Sequence, residues 1–264
     1  MESIAQQERI IESDYLEQQM MHKLLLGQNY IAAQIHSFYP KSSCQNFAEK
    51  VLHHPNRGSY VIAPNISRTG TSFFDTVGQP ARRKEYFNNS MPLMNLEYER
   101  FSFDTPLTAF MLKLMTVWPY GIQFQKLDGA SMWAGSARVF DSIEALPHFD
   151  DLRVDGAEYP ESVKVLRQLA VNIVVQTPNS GAEIDIWDLR LNEAEFDRLR
   201  LGDSYGLDRN LLPPPTVTIA PQVGDLILFD STRIHALRPS DGVQIAHSCF
   251  LGFHGVQQPL AVWS

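Results

Sequence analysis

Apolar residues recur mainly at intervals of three and four over the first 120 positions, and in short runs or alternation after that. Ile10, Ile11, Tyr15, Leu16, Met20, Leu24 and Leu25 lie at helical spacing with charges between them, which predicts an amphipathic helix closing near Gly27. Residues 30–39 predict a strand ending at Pro40. A second helix follows, with Ser42 or Ser43 as N-cap and Phe47, Val51 and Leu52 on its apolar face. Residues 55–95 are rich in Asn, Arg, Ser, Gly and Pro, with aromatic residues interspersed. They read as a long loop suited to act as a lid over residues 67–87, or as a meander of short strands and turns. Asp104 or Thr105 caps a third helix, with Leu107, Phe110, Met111, Leu114 and Met115 as a core stripe and Trp118-Pro119 as its stop.

From about residue 122 the runs 131–140, 169–177, 184–189, 216–220, 226–229 and 244–253 alternate with Gly, Pro and Asp turns, which predicts a β sandwich or barrel. A short helix is expected over 192–201, and Pro213-Pro214-Pro215 forms a stiff spacer. No internal repeat or low-complexity tract interrupts the chain. The organisation expected is a single domain over residues 1–264: a helical buttress and lid region over 1–120, and a β core over 121–264.

Composition narrows the function classes. The chain has 264 residues, 44% hydrophobic and 20% charged, enough to bury a real core. Its formal net charge of −8 comes from dispersed acids, which argues against a nucleic-acid partner. The first eight residues carry acids and no apolar run, so no signal peptide is expected. No stretch approaches the ~18–20 apolar residues of a membrane span. Cys44 and Cys249 read as reduced, buried thiols of a cytoplasmic protein. Oligomeric state is not legible.

His148-Phe149-Asp150 carries the candidate chemistry. On extended backbone, residues two apart project to one side, so both side chains can reach one ion. Gly224-Asp225 turns the chain into the buried run Leu226-Ile227-Leu228-Phe229-Asp230, and His235 follows, 87 positions after His148. Two histidines and one carboxylate on a face leave open positions on an octahedral iron for a bidentate co-substrate and oxygen. The bland alternative is a surface His148 paired with Asp150, and an unrelated His235.

These elements resemble the iron(II)/2-oxoglutarate-dependent oxygenases over roughly residues 28–264. The resemblance runs through Ala137-Arg138-Val139, His148-Phe149-Asp150, residues 172–178, Ser180-Gly181-Ala182-Glu183, the 224–229 strand, His235 and Phe250-Leu251-Gly252-Phe253. The end of the chain looks most like the small-molecule branch, which includes hydroxylases of N-substituted amino acids and aliphatic halogenases. The resemblance implies an α+β, mainly β fold: a double-stranded β-helix (jelly-roll or cupin-like) core buttressed by N-terminal helices. It further implies Fe(II) held by His148, Asp150 and His235, with 2-oxoglutarate and O2 as co-substrates and a small-molecule substrate that is hydroxylated. Halogenases have glycine at the aspartate position; Asp150 is present here, which points to hydroxylation.

Many members of that family place an arginine about ten residues after the distal histidine to anchor 2-oxoglutarate; the corresponding position here is Gln244. Glutamine cannot make the bidentate charge-assisted pair. Arg138, ten before His148, is the first candidate for the anchor and Arg238, three after His235, the second. Ser248 and His247 on the last strand are candidate contacts to the co-substrate, with a core role equally open for His247. Glu183 and Asp185 read as a polar outer face, and His22, His36, His53, His54 and His254 as structural or exposed. Two other readings remain: a cupin-like iron dioxygenase without 2-oxoglutarate, and a metal-stabilised β fold that binds without turnover.

Overall fold

The longest strands bury side chains on both faces, and the layered architecture follows from that. The computed structural model describes residues 9–264, so the signal-peptide expectation for residues 1–8 lies outside the described residues. In chain order the strands of the two main sheets are β1 (Ile10–Ser13), β2 (Ala32–Ile35), β3 (Gly58–Ser59), β4 (Ser67–Arg68), β5 (Ile122–Phe124), β6 (Ser136–Asp141) and β7 (Ala145–His148). They continue with β8 (Arg167–Gln176), β9 (Ile184–Ile186), β10 (Val217–Ile219), β11 (Leu226–Asp230), β12 (His235–Leu237), β13 (Val243–Phe253) and β14 (Leu260–Trp263). A ten-stranded major sheet runs in the order β1-β2-β11-β8-β13-β6-β4-β3, with β14 beside β13 and β5 beside β14. A minor sheet runs β10-β9-β12-β7. The two sheets pack together as a double-stranded β-helix.

The alternation along β8, β11 and β13 sorts residues between two cores. Leu169, Val171, Ile173, Leu226, Leu228, Ile245, Cys249 and Leu251 face the helical layer. Ala170, Ile227 and Phe229 face the minor sheet, where Ile184, Ile186, Val217, Ile219 and Leu237 meet them. A strand covered on both sides reads as a continuous apolar run. Polar residues on its inner face therefore stand out: Gln168 and Asn172 of β8, and Gln244 of β13. Gly224, at φ 96°, makes the turn into β11, where a Cβ would lie 2.5 Å from the Tyr39 carbonyl oxygen. Asp225 then accepts hydrogen bonds from Gln34 Nε2 (2.7 Å), the Ser37 N–H (3.0 Å) and the Gln222 N–H (2.9 Å).

Helices α1 (Gln18–Leu26), α2 (Lys41–Leu52), α3 (Pro80–Arg100) and α4 (Pro106–Val117) precede the β-rich part; short helices α5 (Leu152–Asp155) and α6 (Glu193–Leu199) lie within it. The expected N-terminal helix starts only at residue 18. Ile10 and Ile11 instead join β1, which pairs in parallel with β2, so tertiary pairing overrides the local spacing. Pro40, not Ser42 or Ser43, is the N-cap of α2, on extended backbone whose carbonyl accepts from the Cys44 N–H. The third helix starts as expected, with Thr105 accepting from the Thr108 N–H. Its buried stripe is Leu107, Phe110, Leu114 and Val117, whereas Met115 is 60% exposed, one step around the helix.

Residues 80–95, expected as loop or meander, belong to α3, which buries Arg83, Tyr86, Ser90 and Met94. That face has helical spacing, but two of its four members are polar and Pro92 interrupts the sequence signal. The major sheet also takes strands from both sides of residue 120, so the first part of the chain is more than a buttress. Asn192 caps α6 with a full capping box through Glu195. Both cysteines are free and buried. No helix of the described residues is long and apolar enough to cross a membrane.

His247 belongs to the helix-side core. It stacks on Phe47 at 4.8 Å, its Nδ1 accepts from the Leu107 N–H (3.4 Å), and burial pushes its pKa down to about 4. The unfolded chain binds the proton from about pH 6.5 downward, so stability falls as pH drops from there toward 4. Wild type should therefore lose about 1–2 kcal/mol more between pH 7 and pH 5 than His247→Phe. Urea unfolding at the two pH values checks this, and equal slopes would refute a neutral buried imidazole.

Candidate active site

The site forms where β7 and β12 of the minor sheet end against the major sheet. His148, the last residue of β7, pairs in register with His235, the first of β12, and their rings sit 4.4 Å apart. Asp150 follows two residues after His148 on the same side. One ligand atom from each of His148, Asp150 and His235 lies within 4.8 Å of the others. His235 Nε2 is 3.3 Å and His148 Nε2 3.8 Å from Asp150 Oδ2. The structure thus unites the three residues that the sequence singled out.

Each imidazole is oriented through its other nitrogen. His148 Nδ1 contacts the Leu146 carbonyl at 2.7 Å, and His235 Nδ1 contacts the Arg233 carbonyl at 3.0 Å. A carbonyl only accepts, so Nδ1 carries the proton and the Nε2 lone pair is directed toward Asp150. Burial, and then the neighbouring His235, push the His148 pKa down to about 4, which keeps the ring neutral. Burial alone would raise Asp150, but its contact with His235, the two imidazoles beside it and the Arg138 guanidinium outweigh that. Its carboxyl is held well below the usual range.

Asp150 is also fixed through its backbone. Its N–H donates to the Ser231 carbonyl (2.8 Å), and its carbonyl accepts from Ser231 Oγ (3.1 Å) and Gln168 Nε2 (3.0 Å). Gln168 Oε1 accepts in turn from the Leu152 N–H (2.9 Å). Sequence reasoning missed both Gln168 and Ser231, although a glutamine inside an apolar two-faced strand is a usable signal.

Two chambers meet at the triad, sharing Arg138, Phe140, Ala145, His148 and Asp150 in their walls. The inner one, of about 550 Å³ and partly open, is lined by Asn172, Val174, Phe229, His235, Gln244 and Ala246 between the sheets. The outer one, of about 750 Å³ and partly open to solvent, is walled by Tyr60, Phe73, Phe74, Phe250 and Trp263. Of the loop expected to close over substrate, Ser72, Phe73 and Phe74 reach this wall, while Arg68 is held by Asp75. Asp155 at the end of α5 also lines it. Burial, and then the carboxylates of Asp150 and Asp151, push its carboxyl up to about 8.

The candidate anchors divide clearly. Arg138 points into both chambers, beside the rings of Tyr60 (6.0 Å) and Phe250 (5.9 Å), with its Nε buried and unpartnered. Gln244 Oε1 and Tyr60 Oη are likewise buried without a hydrogen-bond partner. Arg238 is corrected: it follows the inward-facing Leu237, so its side chain leaves the barrel and forms a two-pronged pair with Asp185 (2.8 and 2.9 Å). Asp185 lies on the outer face of β9, between the inward Ile184 and Ile186, as expected; it is 1% exposed and also takes Arg209 and Thr218, so this polar face is a buried ion-pair centre. Ser248, on the same face of β13 as Gln244 and Ala246, donates to Asn172 Oδ1 (2.7 Å) and is not itself part of the inner chamber's lining. His54 pairs with Glu97, and His254 contacts Gln125 and the Lys164 carbonyl, consistent with structural roles.

No family model matches the chain. L-gamma-glutamyl-L-propargylglycine hydroxylase of Streptantibioticus cattleyicolor is 32% identical over 120 residues, 44% of this chain. That match spans 43% of the relative's length. Crystal structures of an N-substituted L-amino acid dioxygenase from Burkholderia ambifaria, without and with alpha-KG (2-oxoglutarate), superpose at TM-scores of 0.65 and 0.64. Identity is 16% and 15%, over 94% of this chain and 91% of theirs. The structural likeness shows the fold, a double-stranded β-helix.

Removing the backbone clamp tests its role. Gln168→Ala should weaken Ni(II) binding by about 10–100-fold, the usual cost of losing an outer-shell partner. Calorimetry measures it, and unchanged affinity in a folded variant would show that Asp150 needs no such support.

Proposed function

We propose that this protein is an iron(II)/2-oxoglutarate-dependent dioxygenase that hydroxylates an unactivated C–H bond of a small molecule, such as an amino acid derivative. The observation that carries the reading is the His148–Asp150–His235 cluster at the junction of two chambers, the inner of which holds an unpaired guanidinium. Two neutral imidazoles and one carboxylate fit a divalent iron and leave three positions open. The orphaned, buried Arg138 Nε is a donor that lacks an acceptor, which fits a bound dicarboxylate.

When bound, iron(II) with 2-oxoglutarate and O2 supplies the oxidising chemistry. The chain's own residues do the rest. His148, Asp150 and His235 would hold the metal. Arg138 would pair with the distal carboxylate of 2-oxoglutarate, with the Gln244 amide donating beside it, which answers the missing arginine at position 244. The aromatic wall of the outer chamber seats the substrate and keeps water from the reacting C–H bond. The hydroxylase and dioxygenase named above act, by their names, on amino acid derivatives, which supports that substrate class here. A reducing compartment such as the cytoplasm fits the two free, buried cysteines.

The test begins with anaerobic protein, to which iron(II) and then 2-oxoglutarate are added. A weak visible charge-transfer band should appear, and iron binding without the band would overturn the co-substrate. Arg138→Ala should raise the 2-oxoglutarate requirement by about 10–100-fold, the worth of a charge-assisted pair, while Arg238→Ala should not. Titration of the band reads both variants. Asp150→Ala should abolish substrate-dependent succinate release, and retained full activity would refute the ligand set.

A further inference from the structure

The outer chamber carries one carboxylate that nothing in the oxygenase reading uses. Asp155 ends α5, five residues beyond Asp150, and lines the cavity with His148 and Asp150. Among the described residues its carboxylate makes no hydrogen bond or ion pair, although its neighbours are engaged. Asp151 is taken by Arg153, and Glu158 by Arg83. Arg83 uses its remaining N–H groups on Thr76 Oγ1 (3.1 Å) and on the Asp155 backbone carbonyl (3.1 Å), not on the carboxylate. Arg138 is the one guanidinium in the chamber wall.

Charge balance then singles out Asp155. In the loaded enzyme the charges of a divalent metal, Asp150, the 2-oxoglutarate dianion and Arg138 cancel, so they offer nothing to the Asp155 carboxyl, which burial and the nearby carboxylates keep largely protonated at neutral pH until a cation arrives beside it. A partly desolvated anion without a partner is costly, and a cation delivered by the ligand removes that cost. The rings of Phe74 and Trp263 line the same chamber, and aromatic rings favour positive charge.

We propose that Asp155 is the counter-ion for a protonated amine on the substrate, so that the outer chamber selects amine-bearing small molecules over their neutral counterparts. This rests on the oxygenase reading of the same site. Asp155 is a specificity residue, distinct from the groups that hold metal and co-substrate.

The experiment is an affinity selection read by mass spectrometry. The protein, metal-free and loaded with Ni(II) and 2-oxoglutarate, is given amino acids and γ-glutamyl dipeptides, each as the free amine and as its N-acetyl form. Wild type should retain free-amine members about tenfold or more over their acetylated twins, the effect of pairing a desolvated charge. Asp155→Asn, which is isosteric and has no hydrogen bonds to lose, should abolish that preference, and Asp155→Glu should keep part of it. Equal retention of both forms, an unchanged preference in D155N, or no free-amine member retained would each overturn the proposal. Failure of the oxygenase reading shows separately, as a missing charge-transfer band in wild type, while the metal-free selection still reports amine preference.

Discussion

Asp150 is positioned by its backbone, which leaves its carboxylate free for a metal. The N–H and carbonyl of this one residue are held by Ser231 and Gln168, and Gln168 extends the hold to Leu152. Each neutral hydrogen bond is worth only about 1 kcal/mol net, so the gain is in geometry rather than stability. Gln168 belongs to the central strand of the major sheet, and Ser231 to the loop that delivers His235. The clamp therefore ties all three triad members to one rigid frame, and a shift of the loop would move two of them together.

Beneath that loop lies the charge cluster that stiffens it. Arg167, Arg190 and Arg233 converge on Asp230, and Arg233 also meets Asp188, which pairs with Arg9. Asp230 further accepts from the Thr232 N–H (3.2 Å) and hydroxyl (2.6 Å), folding the turn back on itself. Burial and the adjacent Arg9 and Arg167 lower the Arg233 pKa to about 10, a sign of how densely the cations are packed. The strand end at Asp230 thus carries the structural ion pairs, so the loop can present Ser231 and His235 to the site without using their side chains for support.

The triad, the β core and its two-faced strands were legible in the sequence because they depend on local signals. His-x-Asp on extended backbone, Gly-Asp before an apolar run and period-two alternation each state their own geometry. Helix α3 was hidden because its inward face is half polar: Arg83 and Ser90 stand where an apolar stripe would be sought. Ile10 and Ile11 have helical spacing but lie in β1, beside a strand more than twenty residues on, which local periodicity cannot see. Arg238 illustrates the same limit at the site. Its proximity to His235 in sequence made it a candidate anchor, while strand alternation sends it to the outside, where Asp185 waits on the neighbouring strand.

Arg138 and Gln244 sit on adjacent strands and face the same chamber. Arg138 pairs across from Ala246, two residues along β13 from Gln244, so the two side chains are diagonal neighbours on the same inner face. A guanidinium rooted at either position can reach the space between the sheets. With Arg138 in place, a second arginine at 244 would bury two like charges against one dicarboxylate, at a cost that a neutral amide avoids. Gln244 still offers donors, and its unpartnered oxygen shows that the inner chamber leaves room for a further hydrogen-bonding group. The substitution that weakens the sequence match is thus the one that the geometry of two adjacent strands makes consistent with the same chemistry.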